Sequence, residues 1–239
     1  TYIDVLTNPL INDSSAFKGS GYFFYDLTAK LNWRISDKDR LFLSGYFGRD
    51  VFSFKNKDLD FEFNVPWGNS TASLRWNHLF SDRLFVNTTA VFTDYNFAFE
   101  GGSSSFNFKL ASGIRDGNLK QDYTFYPNSL HNFKFGWNYT FHRFIPSSLG
   151  ASSGDVEFDT GETVKIFGNE AAVYVLDDWD VSENLKVNVG FRLSMYQHVG
   201  PFTRYYKNES SGTTDSTRQY GRFETIKTYF GPEPRFSAR

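Results

Sequence analysis

The sequence has no cysteine, which excludes disulfides, thiolate metal sites and thiol nucleophiles. Charge of neither sign predominates: 25 Lys+Arg stand against 27 Asp+Glu. No nucleic-acid partner is therefore expected, since such partners call for a basic excess. Alanine, the best helix former, occurs only ten times in 239 residues, which argues against a mainly helical chain. Long apolar runs are missing. The longest, Ala171 to Leu176, falls far short of the roughly 20 residues of a spanning helix. Mean hydropathy is −0.46. Membrane residence survives that value, because a transmembrane strand alternates apolar and polar residues and averages out as polar. The histidines, His78, His131, His142 and His198, are isolated, and no nucleophile elbow, phosphate loop or zincin motif occurs. Neither an enzyme nor a cofactor is expected.

Aromatics are what the chain has in excess. They make up 20% of it, and its 28 phenylalanines outnumber the leucines, a composition that favours strands. Period-2 alternation is the main pattern. Phe23, Tyr25, Leu27, Ala29, Leu31 and Trp33 oppose Phe24, Asp26, Thr28, Lys30, Asn32 and Arg34. The same alternation returns at 132–141 and 185–195, more weakly at 41–47, 72–76 and 84–92. Several runs keep phase for a dozen residues or more, whereas a strand tilted across a bilayer needs roughly 9–11. Counting predicts about eight full strands from Gly21 to Gln197, with partial strands near Thr1–Leu6 and Tyr229–Arg239.

Connections alternate in length. Short polar turns are expected at 36–39, 81–82, 127–130 and 182–184, and longer loops at 54–67, 100–105, 145–168 and 200–219. Short turns at one end and long loops at the other is the outer-membrane barrel arrangement, with short turns in the periplasm. Trp33, Phe80, Phe125, Tyr126 and Trp179 cluster beside the short turns, where an interfacial girdle belongs. One strand changes phase: Phe106, Phe108 and Leu110 are even, Leu119, Tyr123 and Phe125 odd. Either a bulge near 113–117 or an upper half standing above the membrane would account for it. The acidic loop 155–162 offers carboxylates for Ca²⁺, but its spacing does not match an EF-hand, and a solvated loop is favoured.

The polar half of the alternation carries Asp26, Lys30, Arg34, Arg75, Lys120, Asp122, Lys134, Lys186 and Arg192. In a barrel these would face the lumen, where both signs of charge can line a wet channel or hold a plug.

The segment Tyr126–Gly136, continuing through Asn138–Phe144, resembles the hairpin of Bacteroidetes TonB-dependent outer-membrane receptors. Ala172–Trp179 followed by Leu185–Arg192, the Glu-Pro-Arg stretch at 233–235, and Tyr22–Asp50 are similar to the same family. The resemblance covers nearly the whole chain. It implies an all-β fold, an antiparallel transmembrane β-barrel of which residues 1–239 form a middle part, in a barrel of about 22 strands plugged by an N-terminal domain absent from this sequence. It further implies an outer-membrane location, contact with outer-membrane lipid, and coupling through the full-length receptor to TonB–ExbB–ExbD. The cargo would be a scarce nutrient: siderophore-iron, cobalamin or a glycan. A surface lipoprotein lid is left open.

Such a cargo meets the extracellular loops first. Phe52, Phe54, Trp67, Tyr205 and Tyr206 are candidate stacking contacts for sugars or chelate rings, and Arg204 and Lys207 candidates for anionic groups. Two alternatives stand beside this reading. One is a small self-contained outer-membrane barrel, either a passive pore or an adhesion module. The other is a soluble β-rich carbohydrate-binding protein, whose apolar stripes would pack internally.

Overall fold

The computed structural model describes residues 18–239, apart from 155, 160–163, 208–211, 213 and the side chain of Asp159. The expected strand near Thr1–Leu6 lies outside the described residues. The described chain is all strand and turn. Its elements are β1 (Gly21–Arg34), β2 (Asp39–Asn56), β3 (Phe61–Ser81), β4 (Leu84–Gly102), β5 (Phe106–Phe125), β6 (His131–Ser153), β7 (Val156–Asp159), β8 (Ile166–Ser182), β9 (Leu185–Val199), β10 (Phe202–Lys207), β11 (Thr214–Tyr220) and β12 (Thr225–Ala238).

One antiparallel sheet runs in the order β1-β2-β3-β4-β5-β6-β8-β9-β12, with β7 on the upper end of β6. The hairpin β10–β11 pairs separately. The short turns are built by their own polar side chains. Asp39 accepts the Ser36 hydroxyl at 2.7 Å. Asn128 Oδ1 accepts the backbone N–H groups of Leu130 and His131 at 2.9 and 3.2 Å. These Asx and Ser turns are what Ser, Asp and Asn clusters favour.

The register drifts steadily across the sheet. The pairing row that starts at Arg34, the last residue of β1, passes through Arg40, Asn77, Asn87, Asp122, Gly136 and Tyr174 to Arg192, well inside β9. With the short turns at one level, that drift is roughly 23 Å along the strands over roughly 34 Å across them, a tilt of about 35°. Barrel walls tilt by about 35–45°.

The sheet is a single layer with almost no core. Among the described residues, the buried apolar ones are Val86, Ala172, Val199 and Tyr220. Accessible surface is 16114 Å², against roughly 11,000 Å² for a compact soluble monomer of this mass. A soluble sandwich would bury one face of each sheet against the other. Here Leu27, Leu31, Leu74, Phe92 and Val173 of the apolar face stand open, unlike the internally packed stripes that the soluble alternative calls for.

The long connections are shorter than expected. β2 and β3 continue to Asn56 and Phe61, leaving a tight turn where the sequence suggested a loop over 54–67. β4 and β5 likewise meet across 103–105. The stretch 200–219 contains the β10–β11 hairpin. Apolar alternation stops there, but the backbone ladders do not.

The phase change in β5 has the same origin. Pairing between β4 and β5 is unbroken from Gly102↔Asn107 to Leu84↔Phe125, so β5 itself carries no bulge on that side. A register shift does occur against β6, where Pro146 and Ser147 face Ser112 alone. What changes along β2–β5 is which face is apolar. Below, one face carries Leu41, Leu43, Leu74, Trp76, Ala90, Phe92 and Leu119; the other carries Ser44, Ser73, Arg75, Asn118 and Lys120. Above, the first face becomes polar, with ion pairs Lys55–Glu62 at 3.0 Å, Glu100–Lys109 at 2.6 Å and Asp94–Arg115. The second face becomes aromatic. β3 is 21 residues long, about 70 Å of strand, so it extends well past a 25 Å apolar band even when tilted.

Candidate ligand-binding face

The upper part of the second face holds a connected set of rings. Phe63 on β3 is its hub, with ring centroids 5.1 Å from Phe54, 5.4 Å from Phe99, 5.9 Å from Phe52 and 6.1 Å from Phe61. Phe99 continues to Phe108 at 5.3 Å, and Phe108 to Phe106 at 6.1 Å. Alternation puts these side chains on one face of four strands, and pairing puts Phe54 opposite Phe63 and Gly101 opposite Phe108. Trp67 lies on the same face nearer β1 and stacks on Tyr22 at 6.1 Å. Such a wall offers flat apolar area to a ligand.

Two turns brace this end. Asp60, with φ 44°, closes the β2–β3 turn. Its carboxylate accepts the Ser104 backbone N–H at 3.1 Å and the Ser104 hydroxyl from the β4–β5 turn. Those bonds, the hydroxyl's first, hold the Asp60 carboxyl below the usual carboxylate range.

Lower down, the second face is charged and networked. Lys120 pairs with Asp122 at 3.0 Å, Lys134 with Asp178 at 2.9 Å and Arg192 with Glu233 at 3.6 Å. Tyr174 donates to Asp122 two strands away. Its ring can cross β6 because Gly136 intervenes; a Cβ there would come within 2.9 Å of the Tyr174 oxygen. The strands enclose a cavity of about 350 Å³ lined by Lys120, Asp122, Lys134, Tyr174, Arg192 and Arg235.

The register puts all nine residues of the charged alternation on this one face. It brings Lys120, Asp122, Lys134 and Arg192 around one cavity. Asp26, Lys30, Arg34 and Arg75 are spread over β1 and β3, where Arg34 pairs with Asp37 and Arg75 lies over the Phe42 ring. Lys186 pairs with Asp180 beside a short turn.

The seven loop candidates divide. Phe52 and Phe54 join through Phe63, and Trp67 neighbours them on β3. Arg204, Tyr205, Tyr206 and Lys207 lie on β10, at the far side of the sheet. Phe63, Phe99, Phe106 and Phe108 were missed as site residues. For Phe106 and Phe108 the signal was the phase change in β5; Phe63 and Phe99 join them only through cross-strand pairing.

Three histidines take carboxylate partners: His78 with Asp39 at 2.7 Å, His131 with Asp177 at 2.7 Å and His142 with Asp116 at 2.8 Å. Among the described residues no group of three or more His, Asp or Glu could hold a metal ion. Asp155 and Glu162 of the acidic loop lie outside the described residues.

No protein-family model matches the chain, and no curated protein matches it by sequence. Solved structures do. The ferric citrate transporter FecA in its unliganded form superposes with a TM-score of 0.62 at 13% identity, over 92% of this chain and 34% of FecA. The copper transporter OprC gives 0.56 at 10% identity, over 91% and 34%. BauA, the ferric preacinetobactin receptor of Acinetobacter baumannii, gives 0.55 at 10% identity, over 91% and 37%. The fold is thus an antiparallel all-β sheet like that of outer-membrane β-barrel receptors. The chain spans about a third of the length of those receptors.

Proposed function

We propose that this chain is part of the barrel wall of a TonB-dependent outer-membrane receptor that takes up a scarce nutrient. The observation that carries this reading is the reversal of polarity along β2–β5. Lipid outside and water inside account for the lower half. Water outside and a ligand vestibule inside account for the upper half. The nine charged and polar-face residues then line the lumen, where they would hold a plug. The edges β1 and β12 are not paired with each other, and an open edge cannot sit in lipid. Further strands of a larger barrel, of about 22, would cover them. That requirement weighs against a small self-contained barrel.

In this reading TonB–ExbB–ExbD supplies energy through the full-length receptor. Phe52, Phe54 and Trp67 contact cargo in the vestibule, and β10 contributes Arg204, Tyr205, Tyr206 and Lys207 at its rim. The neighbours' cargoes are ferric citrate, ferric preacinetobactin and copper, which brings iron chelates forward among the candidates.

The test is uptake of labelled ferric siderophores, cobalamin and oligosaccharides by cells making the complete receptor. One class should accumulate, and Phe54→Ser with Phe63→Ser should weaken its binding by about tenfold or more while the protein still folds. Accumulation no better than in cells lacking the receptor would sink the proposal.

A further inference from the structure

We propose a second site on this chain, a pocket for an oxyanion between the β10–β11 hairpin and the upper ends of β8, β9 and β12. The cavity measures about 370 Å³, within the range of small-ligand pockets. Tyr196, His198, Arg204, Lys227 and Tyr229 supply its polar lining. Sheet pairing sets four of them in two rows: His198 opposite Lys227, and Tyr196 opposite Tyr229. Arg204 comes from the other side, on β10, opposite Arg218.

Three observations point to a negatively charged ligand. First, the cations are uncommitted. Among the described residues no carboxylate lies within ion-pair distance of Arg204 or Lys227, whereas nearby Arg218 is 3.7 Å from Glu224. Arg204 and Lys227 instead lie over tyrosine rings, at 5.1 Å from Tyr206 and 4.8 Å from Tyr229, which orients their heads without neutralising them. Second, the lining residue His198 has a buried Nε2 with no hydrogen-bond partner. The other three histidines all have carboxylates. Among the described residues His198 has no carboxylate beside it, so no negative charge already occupies this wall of the cavity. Third, space is made for the lining: Gly168 carries no side chain, and a Cβ there would come within 2.7 Å of the Tyr196 hydroxyl.

Residues bearing guanidinium, ammonium and phenol donors line this one cavity from two sides, a set that suits a phosphate or carboxylate group. This goes beyond the aromatic wall, because the pocket lies at the opposite side of the sheet and reads charge rather than apolar area. The site itself rests on the geometry; any part it plays in cargo capture rests on the uptake reading.

The experiment titrates inorganic phosphate, then acetate, into the complete outer-membrane protein purified in lipid-free detergent, followed by calorimetry at low salt. Heat-modifiable gel mobility checks folding of each variant. Arg204→Gln with Lys227→Gln should weaken phosphate binding by about tenfold or more, and His198→Phe by a smaller factor. Arg222→Gln, an exposed cation that does not line the cavity, should leave it unchanged. If the double variant does not fold, Lys227→Gln alone must weaken binding about threefold or more. The proposal is overturned if the parent protein binds neither anion, or if binding is the same with the charges removed. Phosphate bound with no nutrient uptake in any class would overturn the uptake reading and spare the pocket. Uptake without phosphate binding would do the reverse.

Discussion

The lower and upper halves of β2–β5 share one backbone register yet have opposite surfaces. Leu74 and Arg75, next to each other on β3, fall on the apolar and charged faces in the lower half. Glu62 and Phe63, equally adjacent on the same strand, fall on the same two faces with polarity exchanged. Hydrogen bonding cannot distinguish the halves. Their surroundings can: a strand needs apolar side chains wherever it meets lipid and polar ones wherever its outside meets water. On the proposed membrane reading, alternation reports the medium on each side of the sheet, level by level.

The comparison breaks most sharply with a charge on the first face. Leu74→Arg in the lower half should cost about 2–4 kcal/mol of folding free energy in bilayer vesicles, measured by denaturant titration. Ala98→Arg, on the same face above the reversal, should change it by no more than about 0.5 kcal/mol. Equal costs would remove the lipid boundary from the account.

A smaller effect belongs to the aromatic face. Phe63→Ala should cost about 2 kcal/mol, roughly half the loss at a fully buried phenylalanine, because the ring is only half-buried. Hydrogen exchange should quicken around the β2–β3 turn and stay unchanged near the short turns. Loss spread evenly over the sheet would mean the halves are not separate.

The smallest effect is at the turn tips. The Asp60 carboxyl is held below its unfolded value, so its contribution is present above about pH 4 and fades as pH falls through the lowered value. The protection factor of the Ser104 amide, its exchange rate relative to an unprotected amide at the same pH, should be high at pH 7, fall as the pH drops through the lowered Asp60 value, and be low throughout in Asp60→Asn. Slow exchange in that variant at pH 7 would show that the two turns are held by something else.

Much of the fold was legible in the sequence. Strands at Gly21–Arg34, His131–Phe141 and Leu185–Met195 show in plain alternation, and the short turns in their Ser, Asp and Asn clusters. The upper strand ends look like loops in the sequence because Phe54–Trp67 mixes Lys, Asp, Asn and Phe without an outward apolar stripe. In that stretch the apolar positions point the other way, and a rule tuned to one constant face misses them. The candidate site was half legible. Phe52, Phe54 and Trp67 stood out as aromatics, but their hub, Phe63, depends on cross-strand neighbours that only pairing reveals. His198 and Lys227 are 29 positions apart and acquire a common purpose only through the β9–β12 ladder.

The chain of neighbours in this sheet has a mechanical side. Apart from the small excursions at β7 and β10–β11, each strand pairs with the strands next to it in sequence. Pulled by one terminus, such a sheet should give way by unzipping, one hairpin per event, like links leaving a chain rather than a knot coming undone. Each released hairpin exposes a fresh edge, and the force record would trace the order of strands along the sequence.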